Sequence, residues 1–279
     1  MPSENQPPDP GRYEVQAVTK AAAILGAFKT SVQLSQSEIA LAVGLPKATV
    51  YRLIATLRQA GLLTKDGHDN YRLGSELVVL ARQVLNRGLP SVARPYLLDL
   101  LKRFGHSVNL GTRSHYDVLF IDVIDSEHNL RTTSTIGARE PLHATAAGKA
   151  ILAEMPGTEL NEFVRIHGLP ALTPNTITSR ARLDEELAMI RERGYAFDAG
   201  ECVLGAHCVA AIIHAGDDIG GVISVTAASG HLPVEDFDIV GHAVREAADG
   251  VTDELGGKSS DEAIDDGHAQ RLSLAERGR

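Results

Sequence analysis

Along the first third of the chain, apolar positions recur at helical spacing in short blocks separated by glycine or proline. Val18, Ala22, Leu25 and Phe28 share one face of a predicted helix over Val15–Phe28, and Ser31–Ser35 link it onward. Ile39, Ala40 and Val43 mark a second helix, which Gly44 ends because it can take positive φ. Pro46 then stands in the first turn of a third helix, Pro46–Ala60. Val50, Leu53, Ile54 and Leu57 recur there at i, i+3, i+4 and i+7 before Gly61 stops it. The following stretch, LLTKDGHDNYRLG, predicts two short strands around a turn signal at Asp66-Gly67, the second over Tyr71–Leu73. A helix follows over Ser75–Arg87; Gly88-Leu89-Pro90 breaks it, and another is predicted over Val92–Phe104.

Beyond Ser107 the period shortens to that of strands. Ser107–Arg113, Asp117–Ile124 and Leu130–Ile136 are β-rich runs separated by turn signals. Helices are predicted at Ala146–Ala153, Thr158–Ile166 and Arg182–Arg193. Strands resume at Tyr195–Asp198, His207–Ala215 and Gly221–Ala227, with Gly216–Gly220 turning the last pair, and Val234–Leu255 closes as a helix. These elements sum to an α+β domain with an antiparallel sheet of about six strands. The charged, small-residue run after Gly256 and the proline-rich start predict disordered ends.

The third helix exposes Lys47, Thr49, Tyr51, Arg52 and Thr56, donors suited to phosphates and base edges, as a recognition helix needs. The pattern alone fits an ordinary helical hairpin with a solvated face equally well. Charge separates the two. Residues 11–90 hold ten Lys and Arg against five Asp and Glu, whereas the chain as a whole carries a net charge of -9. A basic first domain on an acidic chain suits one module that meets a polyanion, with Lys65 and Arg72 in or near the hairpin touching phosphates.

Composition removes other classes. The 279 residues are long enough for about two domains with full cores. With no Trp and 4% aromatic residues the chain lacks a stacking platform for single strands. Cys202 and Cys208 are too few for a disulfide framework and lack zinc spacing, so no metal and no cofactor is expected. Without an eighteen-residue apolar run or a signal-like start, the expected location is the cytoplasm, away from membranes. The sequence holds no H-E-x-x-H, G-x-S-x-G or G-x-G-x-x-G, and the AAGKA run lacks the glycine and the Ser or Thr of a phosphate loop. The competing functions are therefore a small-molecule enzyme with an accessory DNA-binding domain and a purely architectural DNA binder. The second would not need a large acidic domain.

Within that domain, HATAAGK at His143–Lys149 leads into a helix whose first amides, near Ala146 and Ala147, are reachable past small side chains and could dock a carboxylate. Ser224 and Thr226 share one strand face, Cys208 lies with Ala210 and Ile212, and Asp198 ends a preceding strand. Taken singly these residues also suit bland roles: a solvated strand face for Ser224 and Thr226, a turn for Asp198, core packing for Cys208 and a structural part for His143.

Five ordered motifs, GLPKATVYRLIATLRQAG, YRLG, GAREPLHATAAGKAIL, TPNTIT and RGYAFDAGECVLGAHCVAA, make the chain from about Val15 to Gly256 resemble the isocitrate lyase regulator (IclR) family of bacterial transcription factors. The resemblance implies a winged helix-turn-helix, a linker helix and a GAF-like effector-binding domain, assembled as homodimers or tetramers on palindromic double-stranded operators. Repression is favoured over activation, and the effector is expected to be a small organic acid or related metabolite, a carboxylate first among these. It places effector contacts at Ala146, Ala147, Asp198, Cys208, Ser224 and Thr226. The expected division is a disordered 1–11, a DNA-binding 12–74, a linker 75–90, an effector domain 91–256 and a disordered tail 257–279. Position 48 departs from the family: Ala48 stands where a hydroxyl is usual, so no relative's operator sequence carries over.

Overall fold

A computed structural model describes residues 14–85, 88–127 and 134–256. The expected disordered ends fall outside these residues. The chain divides into two compact units, Met1–Val84 and Leu85–Arg279.

The first unit packs α1 (Gln16–Gly26), α2 (Gln36–Val43) and α3 (Lys47–Gln59) around Ile24, Ile39, Val50 and Ile54. The face predicted for α1 is corrected. Ile24 and Phe28 are buried, whereas Val18 is 65% exposed and Ala22 lies outside the core. Apolar residues surround this helix, so periodicity alone left its seam open. Three strands form the wing: β1 (Leu34–Ser35), β2 (Leu63–Lys65) and β3 (Asn70–Leu73), in the order β1-β3-β2. The two-residue β1 was not expected, being part of what read as a link. After the wing comes α4 (Glu76–Leu85).

The second unit opens with α5 (Leu89–Phe104), three residues earlier than predicted: Gly88 is extended, and Pro90 fits the first turn, where a missing N–H costs nothing. Its sheet comprises β4 (Ser107–Ser114), β5 (Asp117–Ile124), β6 (Arg139–Pro141), β7 (Ala196–Ala199), β8 (Ala206–Ala215) and β9 (Asp218–Ala228). All pairings are antiparallel, in the order β6-β5-β4-β9-β8-β7. Of the predicted strand Leu130–Ile136, residues 130–133 lie outside the described residues and 134–136 are not in a strand; the edge position belongs to β6. The β8–β9 turn is tighter than Gly216–Gly220, because Ala215 already pairs with Asp218 and Gly216 takes φ 64°.

Each face of the sheet has its own core. On one side α5 and α9 (Phe237–Glu254) cover Val108, Leu110, Val209, Ile223 and Val225; a short 3-10 turn, Val234–Asp236, takes the predicted start of α9. On the other, α6 (Ala146–Glu154), α7 (Gly157–His167) and α8 (Arg180–Arg193) bring Ile151, Leu160 and Leu187 into a core with Ala210, Ile212 and Val222 of the sheet. The two-residue period of β8 and β9 divides their side chains between these cores.

Candidate functional site

The helix pair at the start of the chain is closed by local chemistry. Ser35 caps α2 by accepting from the Glu38 amide, while the Glu38 carboxylate accepts from the Ser35 amide at 2.7 Å. Gly44 then takes the left-handed conformation, φ 64°, and α2 and α3 meet at 110°, as in a helix-turn-helix. Gln36 Nε2 donates to the Lys47 carbonyl at 3.1 Å and ties the two helices at the turn. Lys47, Tyr51, Arg52 and Thr56 are exposed along α3, and Thr49 is half-buried. Thr56 spends its hydroxyl proton on the Arg52 carbonyl at 3.1 Å, leaving its oxygen as an acceptor. The wing cations already have partners. Lys65 Nζ lies 2.6 Å from Asp69, and Arg72 donates to Gln33 Oε1 at 2.8 Å with Asp66 at 3.6 Å. Asp66 also accepts from the His68 and Asn70 amides, which shapes the hairpin turn.

In the second unit, register lines up the predicted residues in rows across the sheet. Asp198 of β7 pairs with Cys208 of β8, Cys208 with Thr226 of β9, and Thr226 with Ser107 of β4. The next row runs from Ala196 through Ala210 and Ser224 to Asn109. Ala196 and Ala210 belong to the core under α6, so both rows face that helix. The polar atoms join up: Asn109 Nδ2 donates to Ser224 Oγ at 3.4 Å and Thr226 Oγ1 at 3.3 Å, and Thr226 donates to Cys208 Sγ at 3.2 Å.

The α6 helix packs against β7, β8 and β9. Thr145 caps it by accepting from the Gly148 amide at 3.0 Å. The preceding amides, Ala146 and Ala147, have no intrahelical acceptor, and both residues are buried. Gly148 permits the tight approach of the incoming chain: a Cβ there would lie 2.4 Å from the Leu142 Cα and carbonyl oxygen. His143 takes its bland role, buried with Nε2 2.9 Å from the Pro170 carbonyl.

Behind these residues lies a charged network that periodicity did not reveal. Lys149 is 1% exposed; its ammonium pairs closely with Glu201 and stands 3.5 Å from Glu186, which Arg193 meets at 2.9 Å. The segment after β7 is held by the TPNTIT stretch. Thr176 donates to the Glu201 carbonyl at 2.6 Å, Thr173 to that of Gly200 at 2.7 Å, and Asn175 Nδ2 to that of Ala199 at 3.0 Å. Asp198 in turn accepts from the Glu201 amide. One hint of a buried Lys149 was present: every neighbour from Ala146 to Ala153 is small or apolar, which leaves the lysine no polar face.

Burial dominates the acid chemistry. Desolvation raises Asp198 to about 6 against the opposing pull of the Glu201 amide and Lys149, and raises Glu201 to about 7 although Lys149 favours its charged form. The Cys208 sulfur accepts from Thr226, and burial pushes its thiol up to about 12, so it is a neutral thiol and not a nucleophile. Among the described residues no cluster of three or more His, Cys, Asp or Glu is placed to hold a metal. No single described helix is long and apolar enough to cross a membrane.

The family model for the IclR helix-turn-helix domain matches residues 17–67, and that for the bacterial transcriptional regulator IclR C-terminal domain matches residues 81–253. The transcriptional repressor IclR of Escherichia coli K12 is 32% identical over 209 residues, covering 73% of this chain and 76% of its own. The repressor AllR of the same organism is 32% identical over 250 residues, covering 88% and 92%. The crystal structure of Thermotoga maritima IclR aligns with TM-score 0.68 at 30% identity, covering 87% of this chain and all of the other. An IclR homologue from Microbacterium hydrocarbonoxydans, complexed with 4-hydroxybenzoate, shares the fold with TM-score 0.76 at 23% identity, covering 86% and 98%.

Proposed function

The chain belongs to the IclR family of bacterial transcriptional regulators, and from that premise we propose how its own residues divide the work of a ligand-responsive repressor. The α3 face of Lys47, Thr49, Tyr51, Arg52 and Thr56 enters the major groove of a palindromic operator, and Lys65 and Arg72 of the wing exchange their carboxylate partners for phosphates. A small carboxylate seats on the amides of Ala146 and Ala147, with Asp198, Cys208, Ser224 and Thr226 as the polar floor beneath it. The observation that carries this reading is the buried start of α6, whose first amides have no intrahelical acceptor, on a sheet face that is polar where a core would be apolar. A helix end buried without acceptors is costly unless a ligand supplies them. Small-acid binding by a protein of this fold, the Microbacterium homologue, is of the same chemical kind.

The protein acts as a homodimer or a dimer of dimers in the cytoplasm. Support for association comes from α4, where Val78, Val79 and Leu80 are 71%, 53% and 54% exposed. A ligand changes DNA affinity only as far as it binds the two states of the protein differently.

Thermal-shift screening of the intact protein against small carboxylates tests the pocket. A ligand at about 100 times its Kd adds roughly 2.7 kcal/mol of stability. The double substitution Ser224→Ala with Asp198→Ala should abolish the shift, and should also abolish the acid's effect on binding to a duplex selected by the protein from a random pool. A full response in the double variant would remove the assignment.

A further inference from the structure

We infer that the effector carries a hydrogen-bond donor, a hydroxyl or N–H, in addition to its carboxylate, and that Asn109 is the residue that selects for it. This rests on the reading of the α6 start as the carboxylate site and adds the second half of the recognition. Asn109 lies on β4, near the middle of the sheet, paired with Ser224 and 1% exposed. The direction of its amide follows from its neighbours. Thr226 gives its proton to Cys208 Sγ at 3.2 Å, so its oxygen is left to accept, and the Asn109 nitrogen supplies that bond at 3.3 Å and a second to Ser224 at 3.4 Å. The amide oxygen is therefore turned away from both hydroxyls. Oδ1 is buried and has no partner among the described residues, and the same holds for Glu201 Oε2.

The two ends of the site thus ask for opposite things. The amides of Ala146 and Ala147 are donors without an intrahelical acceptor, whereas Asn109 Oδ1 is an acceptor without a donor among the described residues. An aliphatic acid such as propionate answers the first demand and leaves the second unmet, since it brings no donor for the buried carbonyl. A hydroxy acid or an amide-bearing acid answers both. Sites built to bond a substrate hydroxyl reject the analogue that lacks it far more strongly than apolar pockets reject an added one. One unmade bond to a buried acceptor corresponds to roughly 10–100-fold in affinity.

Matched pairs of acids that differ by a single hydroxyl decide the matter: glycolate and acetate, lactate and propionate, mandelate and phenylacetate, measured by calorimetry on the full-length protein. The expected result is that within any pair that binds, the hydroxy acid binds roughly 10–100-fold more tightly. Asn109→Leu should erase that difference while leaving the affinity of the plain acid within a few fold. Equal or tighter binding of the plain acids to the wild-type protein overturns the inference and leaves the carboxylate site standing; it would mean that water satisfies Oδ1. If no acid of either kind binds at millimolar concentration, the carboxylate reading falls and this inference with it. The wild-type comparison holds whether or not the leucine variant folds.

Discussion

Lys149 is the residue whose surroundings depart furthest from its chemistry: a full charge, 1% exposed, in a helix with no polar side. Its ion pair with Glu201 matters most when Glu201 is ionised. Glu201 and Asp198 have folded-state pKa values raised to about 7 and about 6, above the ordinary carboxylate range. Their contribution to stability is therefore full at about pH 4 and declines as pH rises through 6 to 7. Lys149→Met removes the compensating cation, so the variant should lose about 3–5 kcal/mol at pH 8 and much less at pH 5, where Glu201 is protonated. Denaturant melts at the two values check this; a pH-independent loss would mean that the lysine acts only by packing. On the DNA side, Asp69→Ala frees Lys65 from its 2.6 Å partner. Affinity for duplex DNA of any sequence should rise, with a steeper salt dependence, and a filter-binding series at several salt concentrations reads both. Singly, residues were only partly legible in the sequence. Ser224, Thr226 and Cys208 follow from strand alternation once a strand is placed, but the Lys149–Glu201 pair joins positions far apart in the chain that no local pattern links. Asn109 was lost for a different reason: one polar residue in a β-rich run reads as solvent-facing until the sheet's other face is known to be covered.

At the scale of elements, long periodic segments were legible and short or apolar-all-round ones were not. The α3 helix announces itself by Val50, Leu53, Ile54 and Leu57 and by the glycine on either side. In contrast β6 is Arg139–Pro141, a charged pair and a proline, and is a strand only because the exposed edge of β5 is there to pair with it. Gly148→Ala places a methyl group 2.4 Å from the Leu142 backbone, which cannot move without shifting Thr145 and the whole helix start. The substitution should cost about 1–3 kcal/mol, from overpacking, and should weaken effector binding beyond that loss, since the amides of Ala146 and Ala147 move with the turn. Comparing melting temperature with ligand Kd in the same variant separates the two effects; a normal Kd would detach the helix start from the ligand.

For the molecule as a whole, the basic amino-terminal part and the acidic remainder were visible from charge alone, whereas the exposure of Val78, Val79 and Leu80 on α4 was not, because a helix with three exposed apolar residues has the same sequence pattern as one covered within its own domain. Val79→Asp on α4 should shift the protein toward smaller species in analytical ultracentrifugation and weaken operator binding in proportion, with the melting temperature of the effector domain unchanged. An unaltered sedimentation profile would place the interface elsewhere. β9 has β4 bonded along one edge and β8 along the other, over registers that reach from Gly111 to Ser107 and from Ala215 to Ala206. A strand held on both edges has no translational freedom, since a slip of one residue would turn Ser224 and Thr226 into the opposite core and bring Ile223 and Val225 onto the polar side. The floor of the proposed site is thus a fixed reference, against which the start of α6 and the segment from Gly200 to Gly205 are set, the latter held by the hydroxyls of Thr173 and Thr176.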